Sequence, residues 1–181
     1  MGPPGSGKTT QSELIGKRLG ILHIYPGRLL RQEADTGSPL ASRIRPHLDA
    51  GTMVSADIVL QLVEREMARS PEGYALDGFP RDMEQAIKLE EVLHKRSEEL
   101  DAVVNLELDE DEIHRRLLAR GRPDDKPEII SRRIELFHCE TDPVLQFYDR
   151  RGVLVSVSGR GPAEQVTERV LSAIVSQVQL L

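Results

Sequence analysis

A glycine-rich segment, residues 2–9, places a lysine and a threonine at a spacing suited to holding phosphate. It reads GPPGSGKT and fits the pattern G-x-x-x-x-G-K-[ST] at every fixed position. Glycines let consecutive backbone N–H groups turn toward one anion, and a following helix adds the positive end of its dipole. Lys8 can reach the β- and γ-phosphates of a nucleotide, and a hydroxyl from Thr9 or Thr10 can approach the accompanying magnesium ion. We therefore predict a nucleotide-phosphate loop whose contact residues are Gly5, Ser6, Gly7, Lys8, Thr9 and Thr10.

A second polar segment follows an apolar run at residues 74–76, which is typical of the end of a buried strand. It reads DGFPR from Asp77 to Arg81, and Gln85 lies four positions after the arginine. In open parallel sheets, ligands bind beyond the carboxyl ends of the strands. This segment is therefore the candidate second half of a site whose first half is the phosphate loop.

Helical and strand-like patterns alternate along the 181 residues, which suits one α/β domain. We predict helices at 9–19, 29–34, 40–50, 57–68, 82–96, 109–120, 128–150 and 163–178, and strands at 21–25, 74–76, 102–108 and 153–157. The helix over 128–150 is expected to kink at Pro143. The alternation predicts a parallel sheet flanked by helices on both faces.

The phosphate loop raises one difficulty for this fold. Such a loop normally sits between a strand and a helix, but here it starts at Gly2. We therefore expect the first, central strand of the sheet to be missing, or another segment to fill its place.

Composition narrows the class of protein. A formal net charge of -6 argues against nucleic acid as a partner, and no apolar run is long enough to span a membrane. A single cysteine, Cys139, cannot form an internal disulfide and suits a reducing compartment, so we expect a cytoplasmic enzyme. We interpret Cys139 as a buried small residue, and the five scattered histidines as surface or packing residues.

The two motifs, together with the GRLLR string from Gly27 to Arg31, resemble adenylate kinase over essentially the whole chain and in the same order. The DGFPR string is specific to nucleoside monophosphate kinases. The resemblance implies the P-loop NTPase fold and reversible phosphoryl transfer from ATP to AMP, giving two ADP. In-line transfer of this kind depends on positioning and on positive charge around the phosphates.

The resemblance also assigns residue roles. Lys8 and four arginines would surround the reacting phosphates: Arg81, Arg120, Arg122 and Arg133. Arg116, Arg120 and Gly161 would join the loop in binding ATP. AMP would contact Pro26, Gly27, Arg31, Thr52, Met53, Val54, Gly78, Phe79, Pro80, Arg81, Gln85, Arg122 and Arg133. Asp77, through water, and Thr9 would hold Mg2+.

By the same resemblance, residues 25–54 form an AMP-binding subdomain and residues 121–125 a very short lid within a single kinase domain, 1–181. Long-lid relatives carry a zinc-binding insertion at the lid, but this stretch contains no cysteine, so we expect no zinc. The family leads us to expect a monomer.

Two departures from the family pattern affect the acceptor site. Pro26 stands where the family has a threonine whose hydroxyl contacts the AMP base, and Arg28 replaces an aspartate. One lost hydrogen bond costs roughly 0.5–1.5 kcal/mol, so we expect AMP affinity to fall by about tenfold at most, or base choice to relax. Gln85, which matches the amide that reads adenine, is retained.

Two alternatives remain at this point. The chain could be a pyrimidine nucleoside monophosphate kinase, which Gln85 argues against and Pro26 allows. It could also be a non-catalytic nucleotide-binding relative, for which the absent strand and the altered acceptor segment are the support. Lys8, Arg81, Arg120 and Arg133 are the case against an inactive chain.

Overall fold

A computed structural model of the chain describes residues 1–50, 52–122 and 125–179. Its helices are α1 (Lys8–Leu19), α2 (Pro26–Ala34), α3 (Pro39–Ala50), α4 (Ala56–Met67), α5 (Met83–Arg96), α6 (Glu110–Arg120), α7 (Pro127–Leu136), α8 (Asp142–Asp149) and α9 (Ala163–Val178). Its strands are β1 (Leu22–Ile24), β2 (Tyr74–Leu76), β3 (Val103–Glu107) and β4 (Leu154–Ser158). The predicted alternation of helices and strands is confirmed.

The strands form two parallel pairs, as the predicted α/β fold requires. β1 pairs with β2, so that Ile24 lies opposite Leu76, and β3 pairs with β4, so that Glu107 lies opposite Ser158. In each pair the carboxyl ends meet at one edge, and the segments that follow them begin there. This arrangement brings the residues after β1 close to the DGFPR segment after β2.

The residue before the phosphate loop lies against β3. The Leu106 N–H donates to the Met1 carbonyl at 3.0 Å, and the Met1 nitrogen donates to the Val104 carbonyl. Over residues 1–50, the structure describes no strand ahead of the loop, in agreement with the sequence. A backbone segment nevertheless joins the loop directly to the strand beside it.

Helix α1 is fixed against α9 by a buried polar contact. The Thr167 hydroxyl donates to Gln11 Oε1 at 2.7 Å, and Gln11 Nε2 donates to the Ala163 carbonyl at 3.0 Å. Both side chains are buried, and a buried hydrogen bond specifies one relative position of two helices. Because α1 begins at the phosphate loop, this contact also positions the loop.

The segment predicted as one helix over 128–150 is interrupted. A π-helical turn, Phe137–Thr141, separates α7 from α8, and Pro143 lies in the first turn of α8. Proline has no N–H to donate and its ring collides with the carbonyl four residues earlier, so a widened turn accommodates it within a continuous helical path. The expected disturbance at Pro143 is therefore present as a π-turn just before it.

Two smaller expectations need correction. Cys139 is exposed in the π-helical turn, not buried as the sequence suggested, because the widened turn points this residue outward. Helix α2 begins at Pro26, earlier than the predicted residue 29, since proline is well suited to the first turn of a helix. None of the helices described is long and apolar enough to cross a membrane.

Candidate active site

The phosphate loop has the backbone that its glycines predict. Gly5 and Gly7 adopt φ angles of 79° and 95°, which only glycine adopts readily, and Gly7 is the N-cap of α1. The Ser6 N–H donates to the Pro3 carbonyl at 3.2 Å, closing the turn. The buried hydroxyl of Ser6 has no hydrogen-bond partner among the described residues. A buried polar atom in this position fits a loop that is completed by a ligand.

Lys8 bends back over this loop. Its Nζ donates to the carbonyls of Gly2 and Pro3 at 2.7 and 2.8 Å. Burial, and next the positive charge of Arg81, lower the pKa of Lys8 to about 8, while Asp77 acts in the opposite direction. The ammonium therefore lies in a positive environment that an anion would relieve.

A cleft of about 240 Å³ opens between the loop, the DGFPR segment and the π-helical turn. Three cationic side chains from distant parts of the sequence, Lys8, Arg81 and Arg133, line it together. The lining also includes Met53, Gly78, Pro80, Phe137, Glu140 and Thr141. Three cations converging on one cleft form a binding surface for polyanions.

Asp77 lies at the carboxyl end of β2 and is almost completely buried, with 2% of its surface exposed. Its Oδ2 lies 3.2 Å from Nε2 of His23 on the neighbouring strand β1. The sequence analysis did not single out His23, although it assigned histidines to packing roles. The parallel register of β1 and β2 brings the two side chains together, and local sequence does not reveal that register.

Oxygen donors near the loop fit the chemistry of Mg2+. This ion prefers carboxylate, hydroxyl and phosphate oxygens and usually retains several waters, so it needs few protein ligands. The buried Asp77 carboxylate and the exposed Thr9 hydroxyl are of that type. In the described parts of the chain, no group of three or more His, Cys, Asp or Glu side chains is placed to hold a metal by itself.

The DGFPR segment is held in place from two sides. Gln85 is buried, and its Oε1 accepts a hydrogen bond from the Arg81 backbone N–H at 2.9 Å, which fixes the orientation of the amide. The Thr141 hydroxyl, from the π-helical turn, donates to the Arg81 carbonyl at 2.9 Å. The Arg81 side chain donates to the Gly78 carbonyl at 2.9 Å. These contacts determine where the Arg81 guanidinium sits in the cleft.

Asp125 organises the arginines around the lid, and the sequence analysis did not identify it. Its side chain has no exposed surface and accepts hydrogen bonds from Arg120 Nε and Nη2 at 2.8 and 2.6 Å. Arg133 Nη1 lies 3.6 Å from the same carboxylate, and the Arg122 backbone N–H donates to it at 3.1 Å. The Arg120 hydrogen bonds are the main cause that lowers the pKa of Asp125 to about 2. Three of the predicted phosphate-binding arginines thus meet at one carboxylate.

Arg116 and the segment after β4 meet on the other side of the loop. Arg116 Nη2 donates to the Gly159 carbonyl at 3.0 Å, and its Nε donates to Glu112 at 2.7 Å. A methyl group on Gly159 would lie 3.1 Å from the Ser6 carbonyl, so only glycine fits this close approach. Gly161 follows in the same turn, before α9. The residues predicted near the ATP base are therefore neighbours of the phosphate loop.

The predicted acceptor segment is only partly gathered around the cleft. Met53 lines it with 49% of its surface exposed, whereas Val54 is buried in the core and Thr52 bonds to His47 through its hydroxyl at 3.0 Å. Arg31 lies over the ring of Tyr25, with 5.6 Å from its Cζ to the ring centroid. Pro26 is buried at the start of α2.

Several calls fall wholly or partly outside this picture. Thr9 and Thr10 are exposed on the first turn of α1. Arg31 and Gln85 are not among the described residues that line the cleft. The predicted lid, 121–125, includes residues 123 and 124, and the predicted subdomain, 25–54, includes residue 51, all of which lie outside the described residues.

A phosphate loop leading into a helix, facing a second strand-end motif across a cationic cleft, defines a nucleotide-binding kinase of the α/β class. Comparison with known proteins gives the family. The adenylate kinase sequence profile matches residues 1–153. Proteins named adenylate kinase are 41% identical to the chain in Synechococcus sp. (strain CC9902), Stenotrophomonas maltophilia (strain R551-3) and Mycolicibacterium smegmatis, in each case over 96% of this chain and 96% of the relative. The chain belongs to the adenylate kinase family.

Family membership also bears on the alternatives left open by the sequence. The relatives carry the name adenylate kinase over nearly their full length, which favours an adenylate kinase over a pyrimidine nucleotide kinase or an inactive relative. The predicted P-loop fold is confirmed by the same match and by the parallel strands.

Proposed function

We propose that this chain transfers the γ-phosphoryl group of ATP reversibly to the phosphate of AMP, giving two ADP. The observation that carries the proposal is the convergence of Lys8, Arg81 and Arg133 on one cleft beside the phosphate loop. Phosphoryl transfer requires little covalent chemistry from the protein, and its rate depends on positioning and charge stabilisation. A cleft built from a loop of backbone donors and several guanidinium groups supplies both.

The phosphate loop binds ATP in this proposal. The N–H groups at the start of α1 face the β- and γ-phosphates, and Lys8 leaves the Gly2 and Pro3 carbonyls to pair with them. The Ser6 hydroxyl, buried and without a partner in the described structure, gains one. Arg116 and Gly161 lie on the side of the loop where the ATP base is bound. These rearrangements satisfy groups that the ligand-free site leaves strained or unpaired.

The arginines stabilise the transferring group. Arg81 binds the acceptor phosphate from the DGFPR side, and Arg133 lies across the cleft from it. Arg120 and Arg122, joined to Arg133 through Asp125, approach from the lid when it closes over the nucleotides. Exclusion of water by that closure favours transfer to AMP over hydrolysis.

Magnesium fits the site as an accompanying ion. Asp77, through water, and Thr9 would hold it, and its charge would offset the negative charge of the β- and γ-phosphate oxygens. Zinc has no role in the proposal, and the short lid carries out closure without a metal. We further propose that the enzyme is a cytoplasmic monomer whose partners are ATP and AMP, with no nucleic acid or membrane partner.

The acceptor base is adenine in this proposal, read by the amide of Gln85. The test is a coupled assay that compares AMP, UMP, CMP and dTMP as acceptors with the purified chain. We expect AMP to be the best acceptor, because the Gln85 amide is held in one orientation by the Arg81 N–H. A result in which AMP is the poorest acceptor would contradict the assignment and favour a pyrimidine kinase.

A further inference from the structure

Tyr25 occupies an unusual place between the two halves of the site. It is the last residue before α2, and its half-buried ring lies parallel to the His23 ring, with centroids 6.5 Å apart and an interplanar angle of 2°. The Arg31 guanidinium sits over the same ring, 5.6 Å from its centroid. A cation at this distance from a tyrosine ring is attracted by the negative charge of the ring face.

The packing leaves the ring little freedom. A methyl group on Gly27 would lie 3.1 Å from three atoms of the Tyr25 ring, so the ring rests against a glycine that has no side chain to displace it. On its other flank, His23 is held by Asp77 at 3.2 Å. Tyr25 is therefore a fixed platform at the start of α2.

This platform lies at the edge of the sheet where the cleft opens. β1 and β2 are parallel, and the Asp77 N–H donates to the Ile24 carbonyl at 2.8 Å. The N-terminal end of α2 and the DGFPR segment, whose Gly78 and Arg81 line the cleft, therefore start from the same edge. Arg31 belongs to the last turn of α2, so its side chain must reach back along the helix to be over Tyr25.

We propose that Tyr25 is a positioning residue for the acceptor nucleotide, and that its ring holds the Arg31 guanidinium at the N-terminal end of α2, where it meets the acceptor phosphate. The inference rests on the proposed function, in which Arg31 binds that phosphate. A long arginine side chain loses considerable rotational freedom on binding, and a ring that restrains it beforehand reduces that loss. The expected consequence is tighter binding of AMP without any contact between Tyr25 and the reacting atoms.

The test compares two substitutions of this residue. Tyr25→Leu removes the aromatic face, and we expect the KM for AMP to rise about two- to fivefold, which corresponds to the usual strength of an exposed cation–π contact. Tyr25→Phe retains the face and should restore the wild-type KM. The KM for ATP should be unchanged in both variants, since Tyr25 is remote from the phosphate loop in sequence and the contact concerns the acceptor. Thermal unfolding of both variants establishes that they are folded.

A double-mutant cycle shows whether Tyr25 acts through Arg31. In an Arg31→Ala background, Tyr25→Leu should no longer change the KM for AMP. Phe147→Leu is the matched control, because it removes the ring under Arg151, 4.4 Å from its centroid, and does not line the cleft. We expect that control to leave the KM for AMP at the wild-type value.

The outcomes separate the inference from the proposal on which it rests. An unchanged KM for AMP in Tyr25→Leu, or an equal rise in both Arg31 backgrounds, would overturn the positioning role while leaving the kinase assignment intact. Failure of Tyr25→Phe to restore the KM would overturn it as well. A wild-type chain that forms no ADP from ATP and AMP would overturn the proposed function and the inference together.

Discussion

The fully buried carboxylate of Asp125 forms two hydrogen bonds with the guanidinium of Arg120, at 2.8 and 2.6 Å. This arrangement fixes the plane of the guanidinium as well as its distance, because the two parallel bonds match the fork of the side chain. Arg133 lies 3.6 Å from the same carboxylate and also lines the cleft. One carboxylate thus relates an arginine of α6 to an arginine of α7.

We predict that Asp125→Asn lowers kcat by roughly 10–100-fold, the size of effect that follows from small errors in positioning. The asparagine keeps the volume but removes the charge and one acceptor, so Arg120 and Arg133 lose their common partner. Steady-state kinetics and thermal unfolding measure the change. Glu66→Gln is the control, since it breaks an exposed ion pair with Arg69 away from the cleft. A wild-type kcat in Asp125→Asn would show that the carboxylate has no positioning role.

A pH profile tests the electrostatics of the loop. Lys8 is cationic below its pKa of about 8, which burial and Arg81 have lowered from the ordinary lysine value. A cationic Lys8 is the form that binds phosphate, so kcat/KM for ATP should decline as the pH rises above about 8. Lys8→Arg retains the charge throughout that range, and its lower activity should show no such decline. A wild-type profile that is flat up to pH 10 would contradict the lowered pKa.

The contact between the π-helical turn and the DGFPR segment should affect both stability and acceptor binding. Thr141→Val removes the hydrogen bond to the Arg81 carbonyl, which costs roughly 0.5–1.5 kcal/mol and about 2–4 °C in Tm per kcal/mol. We also expect a higher KM for AMP, because Arg81 loses one restraint. Thr36→Val is the matched control: its hydroxyl also donates to a backbone carbonyl, that of Glu33, but on an exposed surface. Equal effects of the two substitutions on KM would argue against the restraint.

The two motifs could be predicted from sequence because their function lies in their own backbone. Gly5 and Gly7 need positive φ angles that only glycine adopts readily, and a turn of that kind is encoded by adjacent residues. The alternation of helices and strands was equally local, since it depends on apolar spacing. Lys8, Arg81 and Arg133 met at the cleft because the motifs follow the order of the fold.

Contacts between distant segments were less predictable. His23 meets Asp77 only through the register of β1 and β2, and Asp125 meets Arg120 only after the turn between α6 and α7. The π-helical turn depends on how a helix containing Pro143 packs against the Arg81 carbonyl. Short sequence patterns carry no information on such pairings, because each depends on the relative placement of two elements.

Restoring the usual acceptor residue is a further prediction. Pro26→Thr supplies the hydroxyl that the family resemblance places against the AMP base, and we expect the KM for AMP to fall by up to about tenfold. The preference for AMP over CMP should increase with it, since the added contact reads the base. Titration of both nucleotides against wild type and variant provides the measurement. An unchanged preference would show that position 26 does not contribute to base selection.

The central claim is phosphoryl transfer between ATP and AMP in the cleft beside the phosphate loop. It is tested most directly by measuring ADP formation by the purified chain with ATP, AMP and Mg2+, in parallel with Lys8→Ala. We predict ADP formation that requires both nucleotides and magnesium, and its abolition in Lys8→Ala. Absence of ADP formation by the wild type, or survival of the full rate in Lys8→Ala, would contradict the claim.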